Sequence, residues 1–278
     1  MTEMKKKKIL SLLTIFLLVA MTSPVLADSK SACVAIGADN TESQLKTVYN
    51  YFNIKRGAVE EIKVTNEDER EYLEDVVSLD KIGTLALSSV YVQEKSSGGI
   101  DLETHNIDWV TDAMYKSALG TAGIKNAKVI VAAYTPVSGT GALTGIYKAY
   151  EAATDTSLDE AAKSTAVEEV AVVGELQDEI GDDAVNIINS LKGEIAQTKN
   201  MDDDEIRQLI LKTADKYDTN LDDQQVEDIL TLVNKFNTLN MDPDTFIKLL
   251  EAGQGTQGFF QQVADFFQQI GSFFNKQN

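Results

Sequence analysis

Two hydrophobic periodicities divide the chain. Up to about residue 155, short apolar runs alternate with stretches whose apolar positions recur every three or four residues; after 156 only the helical spacing remains. In the first part, residues 32–36 read as a strand leading into the turn Gly37-Ala38-Asp39-Asn40-Thr41. Thr41 and Gln44 then set a capping box for a helix with Leu45, Val48, Tyr49 and Phe52 on one face. Residues 59–65 alternate like a half-buried strand, and Asn66 with Glu69 caps the next helix. Residues 84–93 and 100–107 flank Ser96, Ser97, Gly98 and Gly99, the pattern of a β-hairpin. A helix is expected over 109–119. The unbroken apolar run 128–134 fits a central strand covered on both faces, and a helix over 141–153 follows it.

In the second part, Ser157 with Glu160 and Asp202 with Glu205 mark helix starts, and Asp242-Pro243 sets another. Apolar stripes follow: Val167, Val170, Val173, Leu176 and Ile180, then Ile206, Leu209 and Ile210, then Val226, Ile229, Leu230, Val233 and Phe236. The expected architecture is an α/β domain of mixed sheet with helices over 28–155, an all-α domain over 156–252, and an amphipathic Phe-rich helix over 253–278. Phe259, Phe260, Phe266, Phe267, Phe273 and Phe274 recur there every seven residues and, with Val263 and Ile270, fill an arc of about 140°. Such a stripe suits a partner, a weak contact with a membrane surface, or docking on the chain's own helices.

The first 27 residues follow a different grammar. Lys5, Lys6, Lys7 and Lys8 precede the twelve-residue apolar stretch 9–20, and Val25-Leu26-Ala27 offers a cleavage site. This is the pattern of a signal peptide, with an apolar run short for a bilayer span. An uncleaved anchor is the other reading. The chain is expected outside the cytoplasm, secreted or associated with the cell surface.

Composition narrows the chemistry. Of 278 residues, 44 are acidic and 25 basic, for a net charge of −19, and losing 1–27 would make the remainder more negative still. That balance argues against nucleic acid as a partner. One Cys and one His cannot furnish a zinc site, so no metal or cofactor is expected. Cys33, with no basic group placed to lower its pKa, reads as a small buried hydrophobe. His105 would have to serve any Ser–His–Asp triad, yet it sits in a polar strand-like segment without a nucleophile motif, and reads as a surface or hairpin residue. Asp218 to Asp222 opens like an EF-hand loop, but Asp223 and Ile229 stand where that loop needs Gly and Glu; Thr219 or Asn220 as a helix cap fits better. Carboxylate-pair hydrolysis stays open because so acidic a chain holds many pairs.

The most suggestive stretch is TPVSGTGALTG, residues 135–145, between the buried strand and a helix. Thr135, Ser138, Gly139, Thr140 and Gly141 let a ligand approach the backbone at a helix N-terminus, an arrangement suited to anions. No Lys follows the glycines, and neither a dinucleotide fingerprint nor a GxSxG elbow is present. A tight turn with close helix–sheet packing uses the same residues. If the strands before this loop and before the 37–41 turn are parallel neighbours, the two loops meet at the sheet's carboxyl edge.

VAIGAD (34–39), GIKNAKVIVAA (123–133) and PVSGTGALTGI (136–146), with the N-terminal signal pattern, resemble the secreted bacterial proteins of domain-of-unknown-function family 1002, although Gly141 stands where that pattern often has Ala. The resemblance implies an exported protein with no established activity and no catalytic residues to carry over. The expectation is a non-enzymatic binding or cell-envelope-associated protein, with a cell-envelope component or another protein as partner. An extracytoplasmic carboxylate-dependent hydrolase is the alternative, and a surface protein anchored through its Phe stripe is another.

Overall fold

The computed structural model describes residues 31–74 and 76–241, with Asp80 described by its backbone alone. The signal segment 1–27, the helix start at Asp242-Pro243 and the Phe stripe of 253–278 lie outside the described residues. The sheet comprises β1 (Ala32–Gly37), β2 (Glu60–Val64), β3 (Ser89–Glu94), β4 (Ile100–Ile107) and β5 (Ala127–Val137). Helices α1 (Glu42–Phe52), α2 (Asn66–Leu73), α3 (Leu79–Ile82), α4 (Asp112–Thr121) and α5 (Ala142–Thr154) connect or flank the strands. After them come α6 (Glu160–Ile180), α7 (Asp183–Gly193), α8 (Ile195–Thr198), α9 (Asp203–Lys216) and α10 (Asp223–Thr238). The fold is a mixed five-stranded sheet with helices, followed by a helical region.

The strand order is β2-β1-β3-β5-β4. β1 runs parallel to β2 and β4 parallel to β5, while β3 pairs antiparallel with both β1 and β5. The expected hairpin of 84–93 with 100–107 therefore does not form, because β5 enters between its arms. The glycine turn closes on Asn126 at the mouth of β5 instead: Gly99 N–H donates to Asn126 Oδ1 at 2.9 Å and Lys95 N–H to Asn126 O at 3.2 Å. The apolar run of β5 decides the contest. Val129, Ile130, Val131, Ala132 and Ala133 are all buried, which requires neighbours on both sides and cover on both faces.

Alternation along β1 sorts the two faces. Val34 and Ile36 pack with Leu45, Val48 and Phe52 of α1, whereas Cys33 and Ala35 join the larger cluster beneath α5. Cys33 is fully buried, and burial with the charge of Glu60 pushes its thiol up to about 12, which leaves it chemically inert. The larger cluster continues from the sheet through α4 and α5 into α6, α7, α9 and α10, as far as Phe236.

Capping is local and dense. The boxes Thr41/Gln44 and Asp202/Glu205 form as the sequence suggests. Three expected caps shift. Thr65 with Asp68, rather than Asn66 with Glu69, caps α2; Asp159 caps α6 in place of Ser157; Asp222 with Gln225 caps α10 in place of Thr219 or Asn220. In each case a neighbour one to three positions away offers an equally short acceptor, and the apolar face chooses between them.

One polar cluster interrupts the apolar interior. Lys192 Nζ on α7 donates to Glu169 Oε1 on α6 at 2.5 Å, and to Ser117 Oγ and O on α4 at 2.8 and 3.0 Å. Thr121 Oγ1 donates to Glu169 Oε2 at 2.5 Å, and the Phe236 ring of α10 lies 5.2 Å from the ammonium. Lys192 is 0 % and Glu169 1 % exposed, so neither charge has water to fall back on. Burial draws Lys192 down to about 8 while Glu169 pulls the other way. Lys192→Met alone should cost about 3–5 kcal/mol in denaturant unfolding, since it strands a buried carboxylate. Adding Glu169→Gln should recover most of that loss. A single variant as stable as the wild type would show that the pair contributes little.

Candidate functional site

The carboxyl ends of β1, β2, β4 and β5 and the start of β3 share one edge of the sheet. β1 and β5 run in the same direction but are not neighbours. β3 lies between them, so the 37–41 turn and the 138–141 loop do not meet directly. The lead-in to β3 fills the gap: Ala86 N–H donates to Asp39 Oδ2 at 2.8 Å, and Asn40 Nδ2 donates to Leu87 O at 2.9 Å. The helices that follow the two junctions dock on opposite faces of the sheet, α1 on one and α5 on the other.

The loop 138–141 is clamped from two sides. Tyr115 of α4, fully buried, donates its hydroxyl to Gly139 O at 2.5 Å. Ser138 Oγ and Thr140 Oγ1 both donate to Lys81 O of α3, at 2.6 and 3.0 Å. Gly139 has φ +90°, and a Cβ there would lie 2.5 Å from both Ile107 Cγ2 and the Tyr115 hydroxyl, so glycine is required by conformation and by space. The residues singled out in this stretch thus have unlike roles. Thr135 stays on β5, half-buried and away from the cavity described next; Gly139 and Thr140 are buried supports; Ser138 and Gly141 face open space.

That space is a cavity of about 260 Å³ bounded by Glu69, Lys81, residues 82–85, Leu87 and Ser88, and by Val137, Ser138 and Gly141. Glu69, which sequence reading assigned to a helix cap, is its most unusual wall. A Cβ on Gly141 would meet Glu69 Oε1 at 2.2 Å, so the carboxyl lies directly over the glycine at the N-terminus of α5. An alanine at 141 would push that carboxyl aside. Glu69 is 3 % exposed and receives one hydrogen bond, from Asn66 Nδ2 to Oε2 at 3.1 Å; among the described residues nothing donates to Oε1. Burial, reinforced by the charges of Asp39 and Asp68, raises its pKa to about 7 against the Asn66 bond.

Donors stand near the carboxyl. Among the described residues, the backbone N–H groups of Thr84, Leu85, Leu87 and Ser88, and those of Ser138, Gly139, Thr140 and Gly141, have no acceptor. Lys81 is held at the rim, its ammonium 4.3 Å from the Trp109 ring and 3.5 Å from Asp178 of α6. A local sequence signal for Glu69 was absent, because its role depends on α2 crossing the start of α5, a contact remote in sequence.

Elsewhere, a crevice of about 660 Å³ opens where the end of α4 and the 156–159 linker face the end of α10; Thr121, Tyr150, Asp159 and Met241 are among its walls. No motif marks it. His105 sits half-buried on edge strand β4, stacked on Tyr51 at 4.3 Å between ring centroids, with Nε2 2.8 Å from Glu103 Oε1. Among the described residues no group of three or more His, Cys, Asp or Glu side chains could hold a metal ion, and no helix is long and apolar enough to cross a membrane.

The raised pKa of Glu69 has a thermodynamic consequence. Between its ordinary value of 4.5 and about 7 the folded protein holds a proton that the unfolded chain releases, so folding stability from this group falls as pH rises through that window. The stability of Glu69→Gln minus that of the wild type should therefore grow by about 3 kcal/mol from pH 4.5 to pH 7.5, then level off. Urea unfolding at a series of pH values measures it; parallel curves for the two proteins would contradict the assignment.

Comparison with known proteins agrees with the resemblance carried by the 34–39, 123–133 and 136–146 segments. A family model described as "Protein of unknown function (DUF1002)" matches residues 36–252. The "Uncharacterized protein YpuA" of Bacillus subtilis (strain 168) is 36% identical over 278 residues, covering 94% of this chain and 95% of that protein. No solved structure matches. The match spans the sheet, the 138–141 loop and the helical region alike, and the chain belongs to the DUF1002 family.

Proposed function

We propose that this protein is exported and acts outside the cytoplasm as a non-enzymatic binding protein, with the sheet-edge cavity as its ligand seat. The observation that carries the reading is Glu69: a carboxyl group almost wholly withdrawn from water, one oxygen of which has no donor among the described residues, facing a cavity along whose walls the N–H groups of Thr84, Leu85, Leu87, Ser88, Ser138 and Gly141 likewise have no acceptor among them. Polar groups that face a space without a protein partner are the ones that a ligand entering it can pair with. The volume, about 260 Å³, lies below the range of drug-sized sites and suits a small ligand or the end of a larger one.

Export is supported by the basic, apolar and small-residue succession of residues 5–27. Attachment to the cell envelope is supported by the Phe259, Phe260, Phe266, Phe267, Phe273 and Phe274 stripe. A two-carboxylate hydrolase is less well supported, since Glu69 is the one acidic residue among the described walls of the cavity and Asp39 is engaged by the Ala86 N–H.

Two measurements test the proposal. Protein recovered from the culture medium of producing cells should begin at Asp28; recovery of the intact precursor from the cytoplasm alone would overturn export. Leu85 lines the cavity and is 56 % exposed, so Leu85→Trp should narrow the entrance without touching the core. Native mass spectrometry against a pool of small metabolites should show adducts on the wild type that this variant loses. Adducts that persist in the variant, or none on the wild type, would remove the cavity as the ligand seat.

A further inference from the structure

We propose that the cavity binds a small zwitterionic α-amino acid, its ammonium on Glu69 Oε1 and its carboxylate against the N–H groups of Ser138 and Gly141. This rests on the reading of the cavity as a ligand seat and names what sits there. The two halves of the site ask for opposite charges at short range. α5 is thirteen residues long and its N-terminus carries the positive end of the helix dipole; at the cavity wall just before it, the N–H groups of Ser138 and Gly141 have no acceptor among the described residues. Against that same terminus, over Gly141, lies a carboxyl oxygen to which none of the described residues donates.

A simple anion would satisfy the amides but would lie against the Glu69 carboxyl. A simple amine would satisfy Glu69 but leave the amides bare. A molecule carrying ammonium and carboxylate on adjacent carbons satisfies both over the few ångströms that the cavity spans. Ile82, Leu85, Leu87 and Val137 supply apolar wall for a short side chain.

The surroundings reinforce the ammonium end. Asp39 from the β1–α1 turn and Asp68 from α2 act on Glu69 as negative charges. Asp68 is itself paired with Lys148 of α5, Arg70 of α2 donates to Gly83 O at 3.2 Å, and Lys81 of α3 is committed to Asp178 and the Trp109 ring. No cation from α3 or α5 is therefore seated on Glu69 Oε1. Because only the ionised carboxyl pairs with an ammonium, affinity should climb roughly tenfold per pH unit up to about pH 7 and flatten above it. A plain carboxylate ligand would show the reverse slope.

Isothermal titration of the full chain with L-alanine, ethylamine and propionate tests the assignment. L-Alanine should bind at least tenfold tighter than either fragment, with the rising pH profile, and Glu69→Gln should weaken it at least tenfold while its circular dichroism is unchanged. In the wild type, L-alanine should also shift the amide resonances of residues 138–142, a readout that needs no variant. L-Alanine binding no tighter than either fragment, insensitivity to Glu69→Gln, or amide shifts confined to other regions would each overturn the proposal. If L-alanine fails while another small molecule binds and is lost in Leu85→Trp, the cavity remains a ligand seat and only the amino-acid assignment falls.

Discussion

The buried pair of Lys192 and Glu169 is the constraint on which the rest of the architecture hangs. Neither charge could be withdrawn from water alone, and each finds its partner only when α4, α6 and α7 meet in one arrangement. Apolar stripes by themselves would tolerate sliding; an ammonium that must reach a carboxylate and the Ser117 hydroxyl and carbonyl does not. The restriction propagates. Two residues before Ser117, Tyr115 of the same helix donates to Gly139 O, so the helix fixed by the pair also fixes the loop at the sheet's edge. A second tie runs in parallel, since Trp109 Nε1 and Lys81 both reach Asp178 of α6, and Lys81 O receives the hydroxyls of Ser138 and Thr140. The cavity's loop is thus anchored through α3 and α4 to one long helix of the second half.

The reversed central strand determines what kind of edge this is. In sheets whose neighbouring parallel strands leave in opposite directions, the loops part and open a crevice. Here β3 enters antiparallel between β1 and β5, and its lead-in crosses the edge where the crevice would lie. Segment 83–88 closes the floor, engages Asp39 and Asn40, and leaves a small cavity beside the 138–141 loop. Elongated ligands of the dinucleotide kind have no room, and the chemistry concentrates on a few atoms around Gly141.

How much of this was legible in the sequence depends on the range of the forces involved. Helices and their stripes were readable because caps and apolar spacing are local: Thr41 with Gln44, or Val226 through Phe236, carry their instructions within a turn or two. Strand existence was equally plain for β1 and β5. Strand partners were not, because the hairpin signal at 96–99 is local while the claim of β5 on both neighbours is a property of the assembled sheet. The 138–141 loop could be singled out from its glycines and hydroxyls. Its hydroxyls turned out to hold Lys81 O rather than face the open space, and the decisive group, Glu69, gave no warning, since its sequence neighbours suggest only a helix start. Nor could Lys192 or Glu169 be distinguished from surface charges until three helices enclosed them.

Burial of an ionisable group is not in itself a mark of function, and this chain shows why. Glu194 is 2 % exposed, its Oε1 has no hydrogen-bond partner, and burial lifts its pKa to about 7 against the influence of Lys216. By titration alone it resembles Glu69 closely. The two part company in geometry: Glu194 borders neither cavity described above, whereas Glu69 faces open volume beside a helix N-terminus, where the N–H groups of Ser138 and Gly141 have no acceptor among the described residues. Glu194 has Lys216 nearby and no such cavity beside it. At Glu69 the cost of burial, on the order of 3 kcal/mol near neutral pH, can be returned by a bound cation that pairs with the ionised carboxyl. That difference, rather than the shifted pKa, is what singles out the sheet edge.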